Sequence, residues 1–140
     1  MRGIPGVWRA AAAIVALVLA FGTAAGERQY VVMQMNDDDA THWRQALGTV
    51  RNLLTEVGAD NVQIELVAYG PGIHMLRFDS VVGSQLTELA RDGVWLRACG
   101  NTLAAQKLRP GDLHAKAEIV PSGVVEILKR QKEGWLYIKP

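Results

Sequence analysis

The chain has 140 residues, 49% of them hydrophobic and 21% charged, with a formal net charge of +1. That length suits one domain with an adequate if modest core, and the near-neutral balance gives no support to nucleic-acid binding. A single cysteine rules out an internal disulfide, so in an oxidising compartment that thiol is buried, paired with another chain or reactive.

The first 25 residues read as a secretory signal peptide. Arg2 and Arg9 make a positive start, Ala10 to Phe21 is an unbroken apolar run, and Gly22-Thr23-Ala24-Ala25-Gly26 offers small residues for cleavage near Ala25. The run is shorter than the 17 or so residues a membrane span needs, and no Arg-Arg pair marks the twin-arginine route. An uncleaved anchor is the alternative. Cleavage leaves 13 basic and 14 acidic residues and a periplasmic or secreted domain, residues 26–140, with no membrane attachment.

Gln29 to Met35 predicts a first strand with apolar residues on both faces, as in a sheet covered by helices on both sides. Asn36-Asp37-Asp38-Asp39 stops it and offers helix caps; the acids lack the alternating spacing of a calcium loop. Trp43, Ala46, Leu47, Val50, Leu53, Leu54 and Val57 recur at helical spacing, and Gly58 ends that helix. Trp43 reads as core and His42 as a surface residue. Val62 to Ala68 predicts a second strand. Its alternation over the first five residues suggests a partly wet face near a sheet edge.

Gly70-Pro71-Gly72 is a strong turn signal where that strand hands over. His74, in the same loop, is the histidine best placed to meet the cysteine; the alternative is a loop histidine facing water. Ser80 is a candidate cap for a helix carrying Val82, Leu86, Leu89 and Ala90, closed by Asp92-Gly93. A third strand runs from Gly93 to Cys99, followed by a short helix over about Asn101 to Lys107. Pro110 breaks the next link, and Ala117 to Val120 makes a fourth strand. Pro121-Ser122-Gly123 opens a helix expected to turn Val124, Val125, Ile127 and Leu128 inward and Lys129, Arg130 and Lys132 outward. Trp135 to Ile138 closes the chain as a fifth strand. This alternation predicts an α/β fold with a mainly parallel five-stranded sheet between helix layers.

Cys99 ends a strand and is followed by Gly100-Asn101-Thr102, which can open a helix. A thiol so placed sees the positive end of a helix dipole and nearby N–H donors, both of which favour the reactive thiolate. The competing reading is a packed structural cysteine. Motif searching narrows the chemistry by elimination. No phosphate loop, dinucleotide fingerprint, Cys-x-x-Cys pair or nucleophile elbow is present, and His42, His74 and His114 lack metal-ligand spacing. No metal or cofactor is expected. A lone thiol can hold a sulfane sulfur as a persulfide without a resolving cysteine. Asn101 and Thr102 are placed to donate hydrogen bonds to it or simply to cap the helix.

The chain resembles the DsrE/DsrF-like family of small α/β proteins, which includes sulfur-relay subunits and the YchN-type proteins. The resemblance is carried by Asn36-Asp37, by Glu65 to Gly72, by Gly93-Val94 and Cys99 to Thr102, by Val120 to Ile127 and by Gly134 to Pro140. It implies a flavodoxin-like three-layer α/β/α fold and assembly into homo-trimers or homo-hexamers. It also implies that Cys99 accepts persulfide sulfur from a donor protein or small sulfur compound and passes it to an acceptor. The alternative is a non-enzymatic oligomeric module whose strand-end loops, with Asn36, Gly70, Gly72, His74, Gly100, Asn101 and Thr102, bind a small ligand or partner. A one-cysteine peroxide sensor ranks third, because no Thr/Arg peroxide-binding motif accompanies the thiol.

Overall fold

The computed structural model describes residues 26–140; the leader reading falls on residues 1–25 and lies outside them. Five strands, β1 (Gln29–Met35), β2 (Val62–Ala68), β3 (Trp95–Cys99), β4 (Ala117–Val120) and β5 (Leu136–Ile138), form one sheet in the order β4-β3-β2-β1-β5. Every pairing is parallel. Four helices connect them: α1 (Ala40–Val57), α2 (Gly83–Arg91), α3 (Gly100–Ala105) and α4 (Gly123–Lys132).

The strand order dictates the layers. The chain steps one way from β1 to β4 and then returns across the sheet to β5. Right-handed crossovers therefore put α1, α2 and α3 on one face and α4 on the other. The packing follows suit. Met33, Ile64, Leu66 and Leu96 join Trp43, Leu47, Val50, Leu86, Leu89 and Leu103 in the main core. Behind the sheet, Ile127 of α4 meets Val32 and Val67, flanked by Tyr69 and Trp135. Among the described residues no helix is long and apolar enough to cross a membrane.

Three expectations are corrected here. β2 lies at the centre of the sheet, not near an edge, and all seven of its residues are buried. Its alternation reflects polar groups paired inside the protein. Gln63 donates to the Gly93 carbonyl at 2.9 Å and accepts from Arg28 at 3.2 Å, while Glu65 meets Arg130 at 2.9 Å. The polarity of α4 is also reversed in part. Ile127 faces the sheet with Arg130 one turn further on, whereas Val124, Val125 and Leu128 are exposed. Gly123, Ile127 and Arg130 share a face at the i, i+4, i+7 spacing, and a fully buried carboxylate on the sheet draws Arg130 inward. Finally, Ser80 does not cap α2, whose first residue is Gly83 and whose N-cap is Val82. The Ser80 hydroxyl accepts instead from the Val82 N–H in the preceding turn.

Candidate functional site

In an open parallel sheet, ligands bind beyond the carboxyl ends of the strands, where neighbouring connections leave toward opposite faces. Here that divergence falls between β3, which runs into α3, and β4, which runs toward α4 behind the sheet. Cys99 is the last residue of β3 and pairs with Val120, the last of β4. The single thiol therefore sits at the topological switch point. The two diverging segments are tied across the crevice by the Asn101 N–H, which donates to the Pro121 carbonyl at 3.2 Å.

Alternation along β3 turns Arg97 and Cys99 toward α4, and Leu96 and Ala98 toward the main core. The Cys99 residue is only 4% exposed. Its side chain makes no helix-capping hydrogen bond; the groups facing the sulfur act through their dipoles. Burial pushes the thiol up. The Thr102 hydroxyl and the backbone N–H groups of Gly123, Thr102 and Asn101 outweigh it and hold the thiol below its ordinary value. Cys99 is thus biased toward thiolate although it is nearly covered.

What covers it is equally specific. A Cβ built on Gly123 would stand 3.2 Å from the Cys99 Cβ, 3.1 Å from the Tyr69 Cβ and 3.3 Å from a Val67 methyl. The first residue of α4 is thus packed onto the cysteine. Tyr69 follows Ala68, the last residue of β2, which pairs with Ala98, so Tyr69 stands beside Cys99 just past the end of the neighbouring strand. Burial raises the Tyr69 phenol, and the Tyr137 and Cys99 charges add to it, so Tyr69 stays a neutral donor. Tyr137 in turn donates to the Gln34 side chain. In the sequence, Gly123, Tyr69, Tyr137 and Gln34 do not stand out as site residues: the first three lie within the stretches that carry the family resemblance, and Pro121-Ser122-Gly123 reads only as the start of a helix after a strand.

The remaining sequence candidates fall into two groups. Thr102 links the cysteine to the Gly-Pro-Gly turn, because its Oγ1 also accepts from the Gly70 N–H at 2.9 Å. Gly70 and Gly72 belong to a 3₁₀ segment, Gly70–Leu76, that braces the carboxyl ends of β1 and β2. At Gly72 a Cβ would lie 2.3 Å from the Met35 carbonyl oxygen and 2.8 Å from the Asn36 Cα. Only glycine permits this approach. Gly100 is similarly close to the end of β4, its Cβ position lying 3.0 Å from the Val120 carbonyl oxygen.

His74 makes other partnerships. Its Nδ1 lies 3.0 Å from the Asp38 carboxylate and its Nε2 3.0 Å from the Gln106 side-chain oxygen Oε1, beyond the far end of α3. Both ring nitrogens are occupied, and neither is bonded to Cys99. His42 is an exposed residue near Asp37, and Trp43 is core, its Nε1–H donating to the Asp37 carbonyl. His114 lies between the Thr87 hydroxyl and the Lys116 N–H. Among the described residues no three metal-ligating side chains are gathered.

No protein-family model matches the chain, and no curated protein matches it either. Among solved structures, it is 39% identical to MTH1491 of Methanobacterium thermoautotrophicum, a protein of unknown function. That match has a TM-score of 0.77 and covers 80% of this chain and 99% of the other. BT1422 of Bacteroides thetaiotaomicron, also of unknown function, matches at 12% identity and a TM-score of 0.61, over 80% of this chain and 95% of its own. YchN of E. coli matches at 12% identity and a TM-score of 0.61, over 81% and 99%. The latter two likenesses show the fold. The chain therefore belongs to the family of the methanobacterial protein MTH1491 and has the DsrE-like, flavodoxin-like α/β fold of YchN.

Proposed function

We propose that this protein is a sulfur carrier that accepts sulfane sulfur on Cys99. The observation that supports this most is the solitary thiol at the switch point, biased toward thiolate by the Thr102 hydroxyl and three backbone N–H groups despite its burial. In the first step, the Cys99 thiolate attacks the outer sulfur of a donor persulfide, R–S–SH. A new S–S bond forms on Cys99, the donor's own S–S bond breaks, and the electron pair leaves on R–S⁻. An acceptor thiolate reverses the sequence. Sulfur moves without a second cysteine, without an outside oxidant and without a cofactor. The same N–H groups that favour the thiolate suit the terminal anion of Cys99–S–S⁻. The reading of residues 1–25 as a leader supports a place for this chemistry outside the cytoplasm, where a thiol that cannot form an internal disulfide is buried, paired with another chain or reactive.

The test is intact-mass spectrometry of the protein after incubation with polysulfide or a persulfide donor. The expected result is a gain of one sulfur atom that vanishes in Cys99→Ser. No gain with any donor refutes the proposal. The burial of Cys99 favours a second reading, a small-ligand or partner-binding module, in which Cys99→Ser retains function and changes at Gly70-Pro71-Gly72 abolish it. Either role is compatible with a homo-oligomer. The exposed Val125 and Leu128 support one: with Lys129, Lys132 and Glu133 they line an open groove of about 460 Å³ on α4. Sedimentation velocity reads the assembly state, and a monomer at all concentrations refutes it.

A further inference from the structure

The thiolate-stabilising groups come from two parts of the chain. Asn101 and Thr102 follow Cys99 directly, so their orientation is a local consequence of β3 running into α3. Gly123 is 24 positions further on, and only tertiary packing brings it to the sulfur. Its place is unusual in a second respect. It is the first residue of α4, capped by Ser122, whose hydroxyl accepts from the Val125 N–H at 3.5 Å. The Gly123 N–H is thus one of the helix-end donors left without an intrahelical partner; the residue is packed against Cys99, and its backbone is among the groups that lower the thiol.

We propose that Gly123 is a positioning residue for Cys99: lacking a Cβ, it lets α4 close onto the crevice so that its first N–H faces the sulfur. The space argument is quantitative. With a side chain, the nearest atoms would be three carbons at 3.1, 3.2 and 3.3 Å, on Tyr69, Cys99 and Val67. These are backbone-anchored Cβ and methyl groups, which yield less readily than the end of a long side chain. The helix itself would have to retreat, and its N–H with it.

Other charges do not account for the effect. Tyr69, just past β2, and Tyr137 on β5 are neutral in their acid form, and on the same side of the sheet Glu65 and Glu126 are ion-paired with Arg130. Arg97, two residues earlier on the same face of β3, is paired with Glu118 at 2.6 Å. The α3 sequence and the Ser122–Val125 end of α4 carry no charged side chain. The Thr102 hydroxyl and backbone donors are what the crevice offers an anion, and Gly123 supplies the one that depends on the fold.

The inference rests on the carrier reading only in taking Cys99 as the reacting group. Its test is the pH profile of Cys99 alkylation by iodoacetamide in the full chain. Gly123→Pro removes the N–H at a helix position that favours proline, and the extended backbone of Ser122 (φ −145°, ψ 124°) suits a residue before proline. It is expected to move the midpoint up by about one pH unit, a tenfold loss of thiolate below it. Gly123→Ala keeps the N–H but pushes it back from the sulfur, and is expected to shift the midpoint upward by no more than the proline variant does. An unchanged midpoint in the proline variant overturns the proposal, as does an unchanged midpoint in a folded alanine variant, which would mean that the missing Cβ does not set the place of the N–H.

Because either variant can fail to fold, the unmodified protein provides the second measurement. The Gly123 amide resonance is expected to titrate with the same midpoint as Cys99 alkylation and to lose that titration in Cys99→Ser. A Gly123 amide blind to Cys99 ionisation overturns the proposal. If the midpoint shifts as expected but no sulfur ever loads, the carrier reading fails and the positioning role stands.

Discussion

Replacing Arg130 with methionine strips a buried carboxylate of its partner. Glu65 lies at the centre of the sheet with no exposure. One of its oxygens receives the Arg130 guanidinium at 2.9 Å, through both Nε and Nη2. Its other oxygen has no hydrogen-bond partner, and the second cation nearby, the Arg97 Nε, lies 3.8 Å from the oxygen that Arg130 already holds. Removing one member of a buried pair costs about 3–5 kcal/mol, because the remaining charge cannot be solvated. The Arg130 stack on Trp135, with 4.7 Å from guanidinium carbon to ring centre, adds about 0.5–1 kcal/mol. For a domain of this size the loss corresponds to a fall in Tm of roughly 10–20 °C.

The pH dependence has a definite sign. Burial raises the Glu65 pKa, against the pull of Arg130 and Arg97. A carboxyl whose folded pKa lies above its unfolded one contributes stability that is fully present below the unfolded pKa and is lost as pH rises through the folded one. Removing Arg130 raises the folded value further, so the deficit of Arg130→Met grows with pH and shrinks in acid. The double variant Glu65→Leu with Arg130→Met exchanges the pair for apolar volume and is expected to recover to within about 1 kcal/mol of the parent. Urea denaturation across a range of pH reads all three proteins. If Arg130→Met costs less than about 1 kcal/mol at neutral pH, or the double variant is no better than the single one, Glu65 is not a buried charge held by Arg130.

Two further outcomes follow from the site. Thr102→Val removes a hydroxyl that faces the Cys99 sulfur and accepts from the Gly70 N–H. It is expected to raise the midpoint of Cys99 alkylation and to cost about 1–3 kcal/mol through the orphaned N–H, whereas Thr102→Ser retains both; a valine variant with unchanged alkylation sinks this account. Gly72→Ala drives a methyl into the Met35 carbonyl at 2.3 Å. Because the obstacle is backbone, a loss at or above the roughly 1–3 kcal/mol of ordinary overpacking is expected in urea titration, and a neutral effect would show that the turn is not packed against β1.

Much of the architecture was legible in local pattern. The five strands, the parallel sheet and the helices follow from apolar periodicity and from turn residues at their ends, because those signals arise within a few residues of one another. Cys99 could be placed at the end of a strand before a helix for the same reason, and Thr102 two residues into that helix. Local signals failed where a distant group supplied the partner. Gln63 and Glu65 imply a wet face until Gly93, Arg28 and Arg130 are brought against them. Val124, Val125 and Leu128 imply an inward face until Arg130 is drawn to Glu65 and turns α4 the other way.

The same division runs through the cysteine site. By itself the sequence determined that one thiol, with no disulfide partner, stands at the start of a helix. Only the tertiary structure decided that His74 is engaged by Asp38 and Gln106, with no bond to the thiol. Only the crossing of the chain from β4 to β5 brought Gly123 onto Cys99 and left the sulfur nearly covered. Sequence encodes the donors that lie next to the cysteine, because short-range geometry is set by the chain itself. The donors that lie across the crevice are set by strand order, which depends on contacts far apart in the chain.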